Sequence, residues 1–171
     1  MSKVPSSPPP RALRIGLISD THGLLRPEAL AYLRGSDHIV HAGDICDARV
    51  LEELATIAPV TAVRGNNDWG TWAGRLREEE RITLGGIVIH AIHDVGQLCI
   101  DPRAEGVDVV VYGHSHKPQV DRRDGVLFVN PGSAGPRRFT LPIAAGELVV
   151  EQGVVSARTV ELVEAKAASG T

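Results

Sequence analysis

The chain is poor in the residues on which disulfide-rich, aromatic-cored and membrane proteins depend. Its two cysteines, Cys46 and Cys99, stand far apart and form no CxxC pair, which indicates a reduced protein without a disulfide. Two residues each of Trp, Tyr and Phe leave the core to be built from aliphatic side chains. No apolar run reaches the ~18 residues of a membrane helix, and residues 1–10 contain no apolar export signal. The sequence therefore predicts a cytoplasmic protein without membrane contact.

An excess of positive charge is also missing. The formal net charge is -3, which argues against an extended nucleic-acid surface. The basic pairs Arg122-Arg123 and Arg137-Arg138 are typical of solvated turns. A composition that is 43% hydrophobic and 23% charged is typical of a globular protein. Any phosphate recognition must therefore be local.

The chain divides into one predicted domain and two tails. Proline and serine dominate residues 1–12, which we predict to be disordered, and residues 165–171 are predicted to fray. Across residues 13–164, apolar runs rich in β-branched residues alternate with helical patterns. This alternation is typical of βαβ units around a largely parallel sheet.

The predicted elements follow from periodicity and turn residues. Pro27 begins a helix that Gly35 ends, and a second helix is predicted at 48–58. Glycine-containing turns predict three hairpins. Strands are predicted at 13–19, 38–41, 60–63 and 107–112, and in the hairpins 81–84/87–92, 119–122/126–129 and 148–151/154–163.

Polar clusters follow five of the predicted strands. Taken singly, each has an ordinary explanation, since Asp, Asn and Gly are common in caps and turns and an HxH pair occurs by chance. Together they place carboxylate, amide and imidazole groups where ligands gather in open α/β folds. Such a mixed oxygen and nitrogen set suits Mn²⁺, Fe²⁺ or Zn²⁺ better than Ca²⁺. The clusters are Asp20-Thr21-His22, Gly43-Asp44, Arg64-Gly65-Asn66-Asn67-Asp68, His93-Asp94 and Gly113-His114-Ser115-His116.

This ordered set resembles the calcineurin-like metallophosphoesterase superfamily, whose blocks run D-x-H, G-D, G-N, H-[G/D] and G-H-x-H. The short length, the GNND and GHSH forms and the segment Asn130-Pro131-Gly132-Ser133 look more narrowly like the small bacterial and archaeal phosphodiesterases related to Vps29. The resemblance covers about residues 13 to 160. It implies an α/β fold, a four-layer α/β-β/α sandwich of two mixed sheets flanked by helices.

The resemblance also implies a role for each motif residue. Asp44 would bridge two metal ions, and Asp44 and Asn67 are the predicted catalytic residues. Asn67 stands where larger members have a proton-donating histidine, and an amide can bond a phosphoryl oxygen but cannot deliver a proton. His90 stays an alternative to His93. The implied ligands are Asp20, His22 and His116 for the first metal, Asn66, His93 and His114 for the second, and Asp44 for both.

The implied activity is hydrolysis of P–O bonds by in-line attack of a hydroxide that bridges two divalent ions. Mn²⁺ is favoured, with Fe, Zn, Ni or Co as alternatives. A phosphodiester substrate, a small molecule or nucleotide-like, is favoured over a monoester because Arg64 is the only strong cation beside a ligand block. A homo-oligomer stays open. The alternative function is a Vps29-like protein-binding scaffold with a vestigial metal site.

Two tryptophans follow the Asn66 block. Trp69 and Trp72 are interpreted as a hydrophobic plug, with stacking on a base as the alternative.

Overall fold

Residues 9–164 are described by a computed structural model, in which they form two facing five-stranded sheets. Of the two predicted tails, residues 1–8 and 165–171 lie outside the described residues, and residues 9–12 form neither helix nor strand. Among the described residues, no helix is both long and apolar enough to cross a membrane.

Within this range the chain forms ten strands, two α-helices and two 3₁₀ turns. The helices are α1 (Pro27–Leu33) and α2 (Ala48–Ala55), and the 3₁₀ turns are Ala73–Arg75 and Val95–Gln97. The strands are β1 (Leu13–Ile18), β2 (His38–His41), β3 (Val60–Ala62), β4 (Glu79–Leu84), β5 (Ile87–Ile92), β6 (Val109–Val111), β7 (Gln119–Arg123), β8 (Val126–Asn130), β9 (Ile143–Glu151) and β10 (Val154–Val163).

Both sheets are mixed. The first has the order β10-β9-β1-β2-β3, with β1, β2 and β3 parallel and β9 antiparallel to β1. The second has the order β4-β5-β6-β8-β7, with β5, β6 and β8 parallel between antiparallel edge strands. The alternation of strands and helices alone predicts a largely parallel sheet and misses these antiparallel strands, whereas the two mixed sheets that the resemblance implies are confirmed.

Strand alternation divides the interior into layers. In β1, Ile15 and Leu17 face the second sheet, while Ile18 faces the helices. The core between the sheets contains only Ile, Leu, Val and Ala, which confirms the predicted aliphatic core. On the outer face of the second sheet, Tyr112 and Phe128 pack with the segment around the Val95–Gln97 turn. The predicted four-layer α/β-β/α sandwich is confirmed. Both α-helices of the described residues pack on the first sheet, and the layer on the second sheet is thin and contains this 3₁₀ turn.

Local chemistry explains the bounds of both helices. Pro27 occupies the first turn of α1, and Gly35 follows it at φ +81°. At the start of α2 the Asp47 side chain accepts a hydrogen bond of 2.9 Å from the Arg49 backbone N–H. The helix ends at Ala55 rather than at the predicted Ala58, because the next backbone bonds tighten to the 3₁₀ pattern.

Candidate metal centre

Loops after five strands bring the predicted site residues to one end of the sandwich. Three of these strands belong to the first sheet and two to the second, so the loops meet across the interface. Across this interface the His114 N–H donates to Asp20 Oδ2 at 3.2 Å. Within the sheets, the Asp20 N–H donates to the Gly43 carbonyl at 3.0 Å and the Gly113 N–H donates to the His93 carbonyl at 2.9 Å. The side chains that converge are Asp20 and His22 after β1, Asp44 after β2, Asn66 after β3, His93 after β5, and His114 and His116 after β6.

The first half of the cluster surrounds Asp20. The Oδ1 atom of Asp20 lies 3.3 Å from His116 Nε2 and 3.9 Å from His22 Nε2. The two Nε2 atoms are 3.4 Å apart. These three side chains each offer a ligand atom within 4.8 Å of the others.

The second half surrounds Asn66. Its Oδ1 atom lies 3.1 Å from His93 Nε2 and 3.2 Å from His114 Nδ1. Asp44 lies between the halves, because its Oδ2 atom is 3.4 Å from His93 Nε2 and 3.7 Å from His22 Nε2. Asp20, Asp44 and His93 also each offer a ligand atom within 4.8 Å of the others. The geometry therefore contains two neighbouring groups of potential ligand atoms, with both carboxylates close to the boundary between them.

The donor atoms of this cluster fit divalent cations. Asp20 Oδ1 is buried and has no hydrogen-bond partner among the described residues, although a buried carboxylate oxygen normally has one. His93 Nδ1 lies 2.7 Å from the Ala42 carbonyl, to which it can donate only in the tautomer that leaves the Nε2 lone pair facing Asp44. Oxygen and nitrogen atoms thus face one small volume, and one buried carboxylate oxygen there has no hydrogen-bond partner among the described residues.

The surroundings keep both carboxylates ionised. Burial alone would raise the pKa of Asp44, but the neighbouring His93 ring and hydrogen bonds from Asn67 hold it well below its ordinary value. Burial would also raise the pKa of Asp20, which is nevertheless lowered by the neighbouring His116 ring and by a hydrogen bond from Ser19. The site therefore presents two negative charges near neutral pH.

Five of the seven side chains are carried by backbone in the left-handed region. Positive φ is uncommon outside glycine, and such residues cluster at functional sites, where the surrounding structure fixes them. The φ angles are 54° for Asp20, 46° for His22, 54° for Asp44, 70° for His114 and 61° for His116.

Two motif glycines allow the loops to approach this closely. A Cβ atom on Gly65 would lie 2.2 Å from both the backbone N and Oδ1 of Asp44. A Cβ atom on Gly113 would lie 2.1 Å from Ser19 Oγ. Any side chain at either position would push apart the loops that carry the ligand atoms.

Asp68 ties two of the site loops together. Its buried carboxylate accepts backbone hydrogen bonds from Ile45 at 2.8 Å, Cys46 at 2.7 Å and Gly65 at 2.8 Å. The predicted turn at Asn130-Pro131-Gly132-Ser133 fixes a third loop, because Asn130 Nδ2 donates to the Gly113 carbonyl at 3.0 Å.

Asn67 contacts Asp44 through both its backbone and its side chain. Its backbone N–H and its side-chain Nδ2 each donate to one oxygen of that carboxylate at 2.8 Å. One N–H of the amide is left for another acceptor. This arrangement makes Asn67 a positioning residue for Asp44, a role that the sequence analysis did not give it.

The structure separates the two candidate histidines. His93 joins the cluster, whereas His90 Nε2 lies 2.9 Å from Glu79 Oε2 on the other face of β5. Strand alternation alone separates positions 90 and 93, since they face opposite sides of the strand.

One cation near the site, Arg138, is not predicted by the sequence motifs. Burial lowers the pKa of His22, and the charge of Arg138 lowers it further. The loop that carries Arg138 begins beside the site, because a Cβ atom on Gly135 would lie 2.3 Å from the Thr21 carbonyl oxygen. The pair Arg137-Arg138 was the only signal in the sequence, and nothing local distinguishes it from a solvated turn.

A cavity of about 560 Å³ adjoins the second half of the cluster. Its walls include Asn66, His93 and His114, so it opens directly onto the ligand atoms. Arg64 also lines it, and its Nε donates to the Asp68 carbonyl at 3.2 Å.

Two facing mixed sheets with clustered polar side chains at their strand ends are typical of the metallophosphoesterase fold. The sequence profile of the calcineurin-like phosphoesterase superfamily domain matches residues 13–153, and the chain belongs to this superfamily. The resemblance drawn from the motifs is thereby confirmed.

The relatives agree with this membership. The chain is 38% identical over 139 residues to a probable metallophosphoesterase of Methanothermobacter thermautotrophicus, covering 75% of this chain and 81% of the relative. It is 30% identical over 140 residues to a phosphodiesterase of Methanocaldococcus jannaschii, covering 70% of this chain and 83% of that protein.

Solved structures support the fold. A structure described as a novel archaeal phosphodiesterase superposes with a TM-score of 0.72 at 23% identity, covering 86% of this chain and 100% of that one. Vps29 from Cryptosporidium parvum superposes with a TM-score of 0.71 at 20% identity, covering 90% and 99%. At these identities the likeness concerns the fold alone.

Proposed function

We propose that this protein is a phosphodiesterase that depends on two divalent metal ions. The observation that carries the proposal is the position of Asp44, whose Oδ2 atom lies within 3.7 Å of His22 Nε2 and within 3.4 Å of His93 Nε2. A carboxylate shared by two ligand sets is what a dinuclear centre requires.

In this proposal, each half of the cluster would hold one metal ion. When bound, the two ions would polarise the phosphoryl oxygens and lower the pKa of a bound water. Mn²⁺ is the metal we favour, because imidazole nitrogens are mixed with carboxylate and amide oxygens, and Fe, Zn, Ni and Co suit the same set. Asp20, His22 and His116 would hold one ion, Asn66, His93 and His114 the other, and Asp44 both.

Other residues of the chain would orient Asp44 and add positive charge near the substrate phosphate. Asn67 holds Asp44 with two hydrogen bonds and keeps one amide N–H for a phosphoryl oxygen. Arg138, near His22, adds positive charge on the first side of the centre. Because no described group at the Asn67 position can deliver a proton, the leaving alkoxide would depart without an acid there.

Charges around the cavity support a diester substrate. In addition to Arg64 in the cavity wall, Arg138 contributes positive charge near His22. The site therefore has more positive charge than the sequence indicated. However, Glu78, Glu79 and Asp94 also line the cavity, and they would repel the second negative charge of a monoester. A phosphodiester carries only one negative charge and avoids this repulsion.

The test combines metal analysis with hydrolysis. Protein stripped of metal is reloaded with single metals, and bis(p-nitrophenyl) phosphate and p-nitrophenyl phosphate are assayed. We expect two ions per chain, highest activity with Mn²⁺ and preference for the diester. Asp44→Asn should abolish activity and lower metal content, whereas Asp121→Asn, at a surface carboxylate paired with Arg123, should change neither.

Two outcomes contradict the proposal. Full activity in Asp44→Asn would remove the shared carboxylate from the mechanism. Two bound ions without hydrolysis of any phosphoester would favour the protein-binding scaffold instead. The cytoplasmic location and the oligomeric state stay predictions.

A further inference from the structure

The cavity beside Asn66, His93 and His114 has the size of a site for an organic group. Its volume of about 560 Å³ falls within the ~300–1,000 Å³ typical of small-molecule pockets. Because it opens onto the ligand atoms, a phosphodiester bound at the metal centre would extend one of its two ester groups into it.

Trp69 forms part of the cavity wall and is 70% exposed. The chain's other tryptophan, Trp72, packs against the apolar cluster beneath α1 and α2. The interpretation of both residues as a hydrophobic plug therefore fits Trp72 and fails for Trp69. One loop places one indole in the interior and presents the other to the cavity.

The loop that carries Trp69 is fixed on both sides. The preceding residue, Asp68, is buried and accepts three backbone hydrogen bonds. On the other side, Trp72 packs into the interior and the Gly74 N–H donates to the Gly70 carbonyl at 3.2 Å. A stacking partner bound to Trp69 would order little of the chain, so most of the stacking energy would appear as affinity.

The polar part of the wall indicates which aromatic group fits. Glu78, Glu79 and Asp94 line the cavity with a single guanidinium, that of Arg64. Carboxylates accept hydrogen bonds from N–H donors and repel anions. These side chains favour an uncharged planar group with amino hydrogens over a second phosphate.

We propose that Trp69 is a specificity-determining residue that stacks on an amino-bearing nucleobase, so that the substrate is a nucleoside phosphodiester. This inference rests on the proposed phosphodiesterase function. The base would lie against the indole, with its amino group towards the carboxylates of the wall, and the phosphodiester would lie at the metal centre.

The kinetic test uses two diesters that differ only in the base, adenosine 5′-methylphosphate and ribose 5-methylphosphate. We expect the wild type to favour the adenosine compound in kcat/KM by roughly 5- to 150-fold, the ratio that corresponds to the ~1–3 kcal/mol of one stacked base. Trp69→Ala should remove this preference, so that the two compounds are hydrolysed with similar kcat/KM. Phe139→Ala, which truncates an exposed aromatic outside the cavity wall, should keep the preference.

A binding test works without hydrolysis. In Trp72→Phe, Trp69 is the sole tryptophan, and its fluorescence should be quenched saturably by the uncharged nucleoside adenosine and not by ribose. Quenching no stronger than that of free N-acetyltryptophanamide would overturn the inference.

The two tests separate failure of the inference from failure of the function. Equal hydrolysis of both compounds by wild type, or a preference that survives in Trp69→Ala, overturns the role of Trp69 and leaves the phosphodiesterase standing. Hydrolysis of neither compound, together with no hydrolysis of bis(p-nitrophenyl) phosphate, contradicts the phosphodiesterase, and the fluorescence result then still decides whether Trp69 binds a base.

Discussion

At the scale of single residues, Asn67 donates two hydrogen bonds to the Asp44 carboxylate and, in the proposed mechanism, a third to the substrate. Removing one preorganised donor costs about 2.7–4 kcal/mol of transition-state stabilisation in comparable sites. We expect Asn67→Ala to lower kcat by this amount if the free N–H contacts the phosphoryl group. Metal content measured on the same variant separates this effect from a loss of Asp44 positioning, which would also release metal.

The same position tests how the leaving group departs. Asn67 cannot supply a proton, so rates on a series of aryl phosphodiesters should fall steeply as the phenol pKa rises. Asn67→His should flatten this slope by adding an acid. Equal slopes in the wild type and the variant would show that this position takes no part in leaving-group departure.

Two histidines three residues apart provide a matched pair. His93 lies 3.1 Å from Asn66 Oδ1, whereas His90 lies 2.9 Å from Glu79. His93→Ala should lose about one of two bound ions, and His90→Ala should lose none. The decisive measurement is metal analysis of the two purified variants, and the reverse pattern would exchange their roles.

At the scale of elements, the site depends on loops that are tied to one another. Asp68→Asn would place an NH₂ group against at least one of the backbone N–H groups that the carboxylate accepts. Leaving one buried donor without its acceptor costs about 1–3 kcal/mol. We expect the urea midpoint to fall accordingly and metal affinity to fall with it. An unchanged midpoint would mean that the loops hold their position without this carboxylate.

Strands and helices could be predicted from the sequence where interactions between neighbouring residues determine them, and not where contacts between distant segments do. Strand β2 and the start of α1 follow from local patterns and agree with the structure. Strand β9 begins at Ile143, five residues before the predicted 148, because its first half is stabilised by pairing with β10 rather than by its own sequence. The Arg138 position and the different fates of Trp69 and Trp72 depend on contacts between distant segments, and no local pattern reveals them.

At the scale of the whole molecule, one carboxylate joins the two ends of the described chain. Glu147 on β9 is buried and pairs with Arg14 on β1 and Arg158 on β10. Burial alone would raise its pKa, but hydrogen bonds from both arginines lower it. These bonds connect three neighbouring strands of the first sheet.

This cluster predicts a dependence of stability on pH. Because the folded pKa of Glu147 lies below its unfolded value of about 4.5, its stabilisation is full above that pH and is lost as the pH falls through the folded pKa. Glu147→Gln should lower the free energy of unfolding by about 1.5–3 kcal/mol at pH 7, and the difference from wild type should shrink in acid. Urea unfolding from pH 7 to pH 3 measures this, with exposed Glu151→Gln as the control. A difference that stays constant with pH would exclude the charge as its cause.

The left-handed backbone at the candidate metal centre implies a trade-off between thermal stability and metal binding. His114 has φ 70°, where glycine is relaxed and a β-branched residue is most strained. His114→Gly and His114→Val remove the same imidazole, yet we expect the metal-free glycine variant to melt at the higher temperature. Equal melting temperatures would mean that the loop relaxes around any side chain. Selection for heat resistance alone would therefore favour glycine at this position, and the proposed role in metal binding gives a reason for a histidine to be kept there.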